Sequence, residues 1–154
     1  MTERYFVDTN VLVYAHDGVY PAHMEQAQHW MTRLWADQAA VISTQVLKEF
    51  YNVLTRKLDP PIPQELAREE VRDLLHWPII ETDARLFEAA WRIEDEGHCS
   101  WWDALIIAAA QQAGCTAILS EDLGPHLMPA GMTLINPFTS AVHEAPARYE
   151  IRGD

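Results

Sequence analysis

The sequence is short of three things. It has two cysteines in 154 residues, Cys99 and Cys115. That is too few for a disulfide scaffold, so a reducing cytoplasm is the default setting. It is short of positive charge, with 11 Lys and Arg against 23 Asp and Glu and a formal net charge of −12. Such a balance argues against a wide electrostatic footprint for duplex DNA, which leans on Lys and Arg at the phosphates. It leaves room for a small nucleic-acid site organised by metal ions. Between Ile93 and Ala147 there is no Lys or Arg at all, so a phosphate site there needs cations from another segment, a partner or a metal. Long apolar runs are also missing. The mid-chain run from Ala104 to Ala110 is too short to cross a bilayer. The opening MTERYFVDTN has no signal-peptide core, because Asp8 interrupts its apolar stretch. No membrane is expected as a partner.

What is present is a core. Hydrophobic residues make up 49% of the chain, and the length suits one globular domain. No internal repeat, low-complexity tract or flexible linker divides it, and Asp59-Pro60-Pro61-Ile62-Pro63 reads as a short connection. Residues 1–154 are therefore expected to form one domain, with a core of about 5–138 and a tail of 139–154. The closing Arg152-Gly153-Asp154 reads as a chance tail.

Hydrophobic patterning and caps predict strands at 5–7, 41–42, 78–80, 116–119 and 132–135. Helices are expected at 9–15, 21–36, 44–58, 63–75, 83–97 and 101–113. Asp8 or Thr9 caps the first, Ser43 or Thr44 the third, Thr82 the fifth and Ser100 the sixth. Gly97 and Gly114 close the last two. Strands alternating with helices imply a parallel sheet covered on both faces. Ligands in such folds bind at the carboxyl ends of the strands, and both Asp8 and Asp122 lie at strand ends.

Four acids stand beside apolar elements. Asp8 lies between Tyr5-Phe6-Val7 and Val11-Leu12-Val13, where a charge is costly unless paired or bound to a cation; it also suits a helix cap. Glu49 falls at the edge of the stripe Val46, Leu47, Phe50, Val53 and Leu54, either an ordinary boundary residue or one aimed along the sheet. Asp103 is the single charge in WWDALIIAAAQQAG, a helix apolar nearly all round and so buried. With Ser100 it forms a capping box, which does not stop it pointing into a cleft. Asp122 follows the fourth strand in Ser120-Glu121-Asp122-Leu123, as an Asx turn or a ligand. Glu121 reads as its solvated neighbour, and Ser120 as a hydroxyl able to bond a ligand carboxylate. If the four acids converge they need a counter-charge. Oxygen-only ligation favours Mg²⁺ or Mn²⁺ over zinc. The histidines show no zinc spacing and read as structural or surface residues.

VDTNVLVYA, STQVLKEFYNVL, CSWWDALIIAAAQQAGC and AILSEDL together resemble the PIN domain. The resemblance is closest to the VapC-type toxin nucleases of bacterial toxin–antitoxin pairs and runs from about Tyr5 to Phe138. It implies a three-layer α/β/α sandwich with a short central parallel sheet and a metal-dependent ribonuclease site. Carried over by position, Asp8, Glu49, Asp103 and Asp122 match the family's acidic quartet, with Asp122 chosen over Glu121. Thr9 and Asn10 match the residues after the first acid, and Ser43 a small polar position ending the second strand. The family also implies an RNA substrate, a cognate antitoxin and a homodimer; the six Trp supply either anchors for such contacts or core. In that setting Asp8 and Asp103 are expected as direct ligands of Mg²⁺ or Mn²⁺. Glu49 and Asp122 would hold its waters or a second ion, and Arg56 would steer an RNA phosphate. Water as nucleophile leaves a 5′-phosphate and a 3′-hydroxyl. An Asp-dependent phosphatase also opens with an Asp after its first strand, but needs a second Asp where Asn10 stands and a late Lys, and none follows Lys57. An inactive binding module of the same fold is the remaining alternative.

Overall fold

The computed structural model describes residues 3–139; the tail beyond, with Arg152-Gly153-Asp154, lies outside the described residues. The chain runs through β1 (Tyr5–Val7), α1 (Thr9–Tyr14), α2 (Pro21–Asp37), β2 (Ala40–Ser43), α3 (Thr44–Arg56), α4 (Gln64–Leu74), β3 (Ile79–Ile80), α5 (Ala84–Gly97), α6 (Trp101–Gln112), β4 (Ala117–Leu119) and β5 (Thr133–Ile135). A 3-10 turn, Pro125–Leu127, which the sequence patterning did not suggest, separates β4 from β5. The five strands form one sheet in the order β3-β2-β1-β4-β5, and every pairing is parallel. Helices α1 to α4 pack on one another, while α5 pairs with α6 and α6 packs on β2. The result is the three-layer α/β/α sandwich expected from the alternation of elements.

Burial explains the short strands. Phe6, Val7, Val41, Ile42, Ile118 and Leu119 are all buried, as central strands covered on both faces must be. In α6 every residue from Ala104 to Ala110 is buried, so its near-continuous apolar surface is a matter of location. Its polar residues lie at the two ends, Asp103 in the first turn and Gln111 and Gln112 in the last. Of the six Trp, Trp35, Trp91 and Trp102 are exposed and Trp77 is buried. Among the described residues no helix is long and apolar enough to cross a membrane.

Local chemistry sets the helix starts. Asp8 accepts from the Thr9 N–H at 2.8 Å, Ser43 from Val46 at 3.3 Å and Ser100 from Asp103 at 3.1 Å. Two expectations are corrected. Helix α5 is capped by Asp83, which accepts from the Leu86 N–H at 2.9 Å. Thr82 is instead tied to Thr44, whose hydroxyl accepts its N–H at 3.3 Å. Helix α5 ends at Gly97 as expected, but the left-handed conformation falls one residue later, on His98 at φ 52°. Replacing the α3 cap, Ser43→Ala, is expected to cost about 1 kcal/mol, read as a fall in the urea midpoint at constant slope; an unchanged midpoint removes the cap's role.

Candidate active site

The strand order defines where a ligand belongs. Chain connections leave β1 toward β2 on one side, and the sheet resumes with β4 on the other. The switch point of this doubly wound sheet therefore lies at the carboxyl ends of β1 and β4. Asp8 follows β1 directly, and its N–H donates to the Leu119 carbonyl at the end of β4, 2.9 Å away. Residues 120–122 continue from there, so both segments meet at one edge.

Asp8 is completely buried, as is Ser120, and Asn10 is 2% exposed. One Asp8 oxygen takes the Thr9 N–H. The other takes the Ser120 hydroxyl at 2.7 Å and the Asn10 amide at 3.4 Å. The same Asn10 nitrogen donates to Asp122 Oδ2 at 3.1 Å. One neutral amide thus sits between two carboxylates, that of Asp8 nearby in the chain and that of Asp122, 112 residues from Asn10. Ser120 is the second hub, since its oxygen also accepts the N–H groups of Asp122 and Leu123 at 3.2 and 3.3 Å. The carboxylate that its hydroxyl bonds is that of Asp8.

Glu49 joins from α3. It is half-buried, and its Oε1 accepts the Thr9 hydroxyl at 3.2 Å, which sets it beside the residue that follows Asp8. Asp103 arrives by another route. Gln45, in the first turn of α3, donates to the Trp102 carbonyl at 3.4 Å. At the opposite end of the helix, the Arg4 guanidinium donates to the Ala113 carbonyl at 3.0 Å. Helix α6 therefore runs against the strands, with Asp103 in its first turn at the carboxyl edge. Asp8, Asn10, Ser120 and Asp122 form one bonded group and Glu49 reaches it through Thr9; Asp103 shares the edge through the placement of its helix. Arg56 is exposed in the last turn of α3. At 1.5 Å per residue it lies about 10 Å along the axis from Glu49, outside the bonded group. Ser43 is buried and spent on its cap.

Glu121 is corrected. It is half-buried rather than a solvated neighbour. Its carboxylate meets His23 Nε2 at 2.9 Å and the Tyr14 hydroxyl at 3.2 Å. Burial first, and then the Glu121 charge, push the Tyr14 phenol above its ordinary value, so it stays a donor. Sequence reasoning missed both partners. The available signal was that His23 shares the buried face of α2 with Ala27 and Leu34, and a buried imidazole needs a polar partner.

Among the described residues no three His, Cys, Asp or Glu side chains already enclose a metal position. The donor set is nonetheless suited to a hard divalent ion. It is made of oxygens, and the groups bonded to Asp8 above are a backbone amide, a hydroxyl and a side-chain amide, none charged. Mg²⁺ keeps several of its waters and is held by one or two carboxylates, so a three-ligand cage is not required. A cavity of about 540 Å³ opens beside Ser120, Glu121 and Asn136, at the same edge. Neither it nor a smaller one of about 340 Å³, among Leu12, Trp35, Phe50 and Leu74, is lined by any of the four acids.

The fold and site define a doubly wound α/β domain with an acidic group at its switch point. The PIN-domain family model matches residues 5–126, and the chain belongs to that family. No curated protein matches it significantly. Several solved structures share the fold, three of them as follows. A toxin–antitoxin complex from Klebsiella pneumoniae is 18% identical at a TM-score of 0.66, covering 86% of this chain and 97% of its own. VapC20 from Mycobacterium tuberculosis, described as a sarcin-ricin loop cleaving toxin, is 23% identical at 0.55, covering 74% and 86%. VapBC2 from Rickettsia felis, bound to a promoter DNA fragment, is 19% identical at 0.57, covering 86% and 97%. At these identities the likeness carries the fold.

Proposed function

We propose that this chain is a Mg²⁺- or Mn²⁺-dependent endoribonuclease of the PIN family, acting as the toxin of a toxin–antitoxin pair. The observation that carries the reading is the Asn10 amide set between Asp8 and Asp122 at the switch point of the sheet. Asp8 and Asp103 would be the direct ligands, with Glu49 and Asp122 holding hydration waters or a second ion. When bound, the ion acidifies water and offsets the negative charge that builds on the phosphoryl oxygens. The chain's own residues position the acids. Thr9 and Ser120 fix the two Asp8 oxygens, and Asn10 keeps two carboxylates from moving apart. Arg56, further along α3, would meet a neighbouring phosphate. The two toxin–antitoxin neighbours support an antitoxin as partner, and a homodimer is the expected assembly in the cytoplasm. Residues 1–154 would act as a single domain.

Purified protein mixed with total RNA should cut it in the presence of Mg²⁺ or Mn²⁺ and stop when a chelator is added. Sequencing the cut ends should find 5′-phosphates and 3′-hydroxyls. Cleavage indifferent to chelation, or 2′,3′-cyclic phosphate ends, would reject the reading.

A further inference from the structure

We infer that Glu121 is a positioning residue: clamped by Tyr14 and His23, it fixes which end of the Asn10 amide faces Asp8 and Asp122. The inference rests on the proposed reading of the site. An Asn side chain has one acceptor oxygen and one donor nitrogen. The Glu121 backbone N–H donates to Asn10 Oδ1 at 3.1 Å, which leaves the nitrogen to face the two carboxylates. Turned over, Asn10 would present its oxygen to Asp8 and Asp122, with acceptor facing acceptor. The position of one backbone N–H therefore decides whether the two acids are held or repelled.

That N–H belongs to a turn beside the exposed Asp122, and the Glu121 side chain anchors it. Each carboxylate oxygen has its own partner, Tyr14 on α1 and His23 on α2. Both partners are buried, at 1% and 4% exposure. Their rings lie 4.5 Å apart, and Phe138 stacks on His23 at 4.6 Å and meets Tyr14 edge-on at 5.1 Å. The clamp is thus built into the packing of two helices, and neither partner belongs to the acidic group. Groups bonded directly to metal ligands, as Asn10 is here, are commonly worth 10–100-fold in metal affinity, and Glu121 acts through that group.

Calorimetric titration of the whole chain with Mn²⁺ tests this, with the melting temperature measured in parallel. Glu121→Ala should weaken Mn²⁺ binding about tenfold or more. Glu121→Gln should stay near the parent, because an amide can still accept from Tyr14 and bond His23. Should Glu121→Ala fail to fold, Tyr14→Phe removes a single oxygen from the clamp and should weaken binding in the same direction. Parent-like binding in the Ala and Phe variants overturns the inference, even if their melting temperatures fall. A Gln variant as weak as the Ala variant also overturns it, because the charge and not the placement would then matter. If Asp8→Asn abolishes Mn²⁺ binding while Glu121→Ala leaves it unchanged, this inference alone falls. If the parent binds no Mn²⁺, or Asp8→Asn binds it equally, the reading of the site falls and takes the inference with it.

Discussion

Asp8→Asn should abolish RNA cleavage, lowering the rate by at least about 10³-fold, while the protein stays folded. A thousandfold corresponds to about 4 kcal/mol of lost transition-state stabilisation, a reasonable share for the most buried acid of a metal-dependent site. The fold should tolerate the change because Asn caps a helix as well as Asp does. Its remaining oxygen still accepts the Thr9 N–H; the Ser120 hydroxyl, whose lone pairs already take the Asp122 and Leu123 N–H groups, loses its acceptor, and this is offset by no longer burying a charge. The Asn10 amide loses one long bond of 3.4 Å. The stability cost should be about 1 kcal/mol, a fall of roughly 2–4 °C in Tm. Cleavage within tenfold of the parent would remove Asp8 from the chemistry.

Ser120→Ala should strike stability and activity together. Its hydroxyl is buried, donates to Asp8 at 2.7 Å and accepts two backbone N–H groups of the following turn. Hydrogen bonds to a charged group contribute about 1.5–3 kcal/mol, and alanine leaves both the carboxylate and the turn without that partner. Thermal unfolding should come roughly 5–10 °C earlier, and cleavage should drop about 10–100-fold. A lower Tm with full activity would make Ser120 a structural residue only. An unchanged Tm would show that the Asp8 carboxylate is satisfied without it.

Much of the architecture was readable from local pattern. Tyr5-Phe6-Val7 and Ala117–Leu119 are short apolar runs flanked by polar residues, which is how a fully covered parallel strand looks. Ser43 and Ser100 announce helix starts through hydroxyls that reach back to N–H groups three residues on. Where such signals compete, sequence alone misplaces them. Thr82 and Asp83 are both good caps, and only the bond from Thr82 to Thr44, 38 residues away, leaves the capping to Asp83. Gly97 offered the easier left-handed residue, yet it stays helical as the last residue of α5 and His98 takes that conformation.

The acids were legible because each is an anomaly in its own segment. A carboxylate after a buried strand, or alone in an apolar helix, must be accounted for wherever it stands. Glu121, His23 and Tyr14 carried no comparable mark. A Glu in a polar turn, a His in an amphipathic helix and a Tyr in an apolar run are each ordinary. Their meaning lies in being partners, and Glu121 and His23 are separated by 98 residues of chain.

The sequence by itself determined the alternation of strand and helix, the parallel sheet that follows from it, and four acids whose surroundings demand explanation. These depend on periodicity, caps and the cost of burying charge, all of which act over a few residues. Only the tertiary structure decided that β1 and β4 lie side by side, that one Asn10 amide spans Asp8 and Asp122, and that Glu121 turns toward α1 and α2. Those outcomes depend on which distant segments pack together, and hydrogen bonds between such segments form only once the core has brought them within about 3 Å.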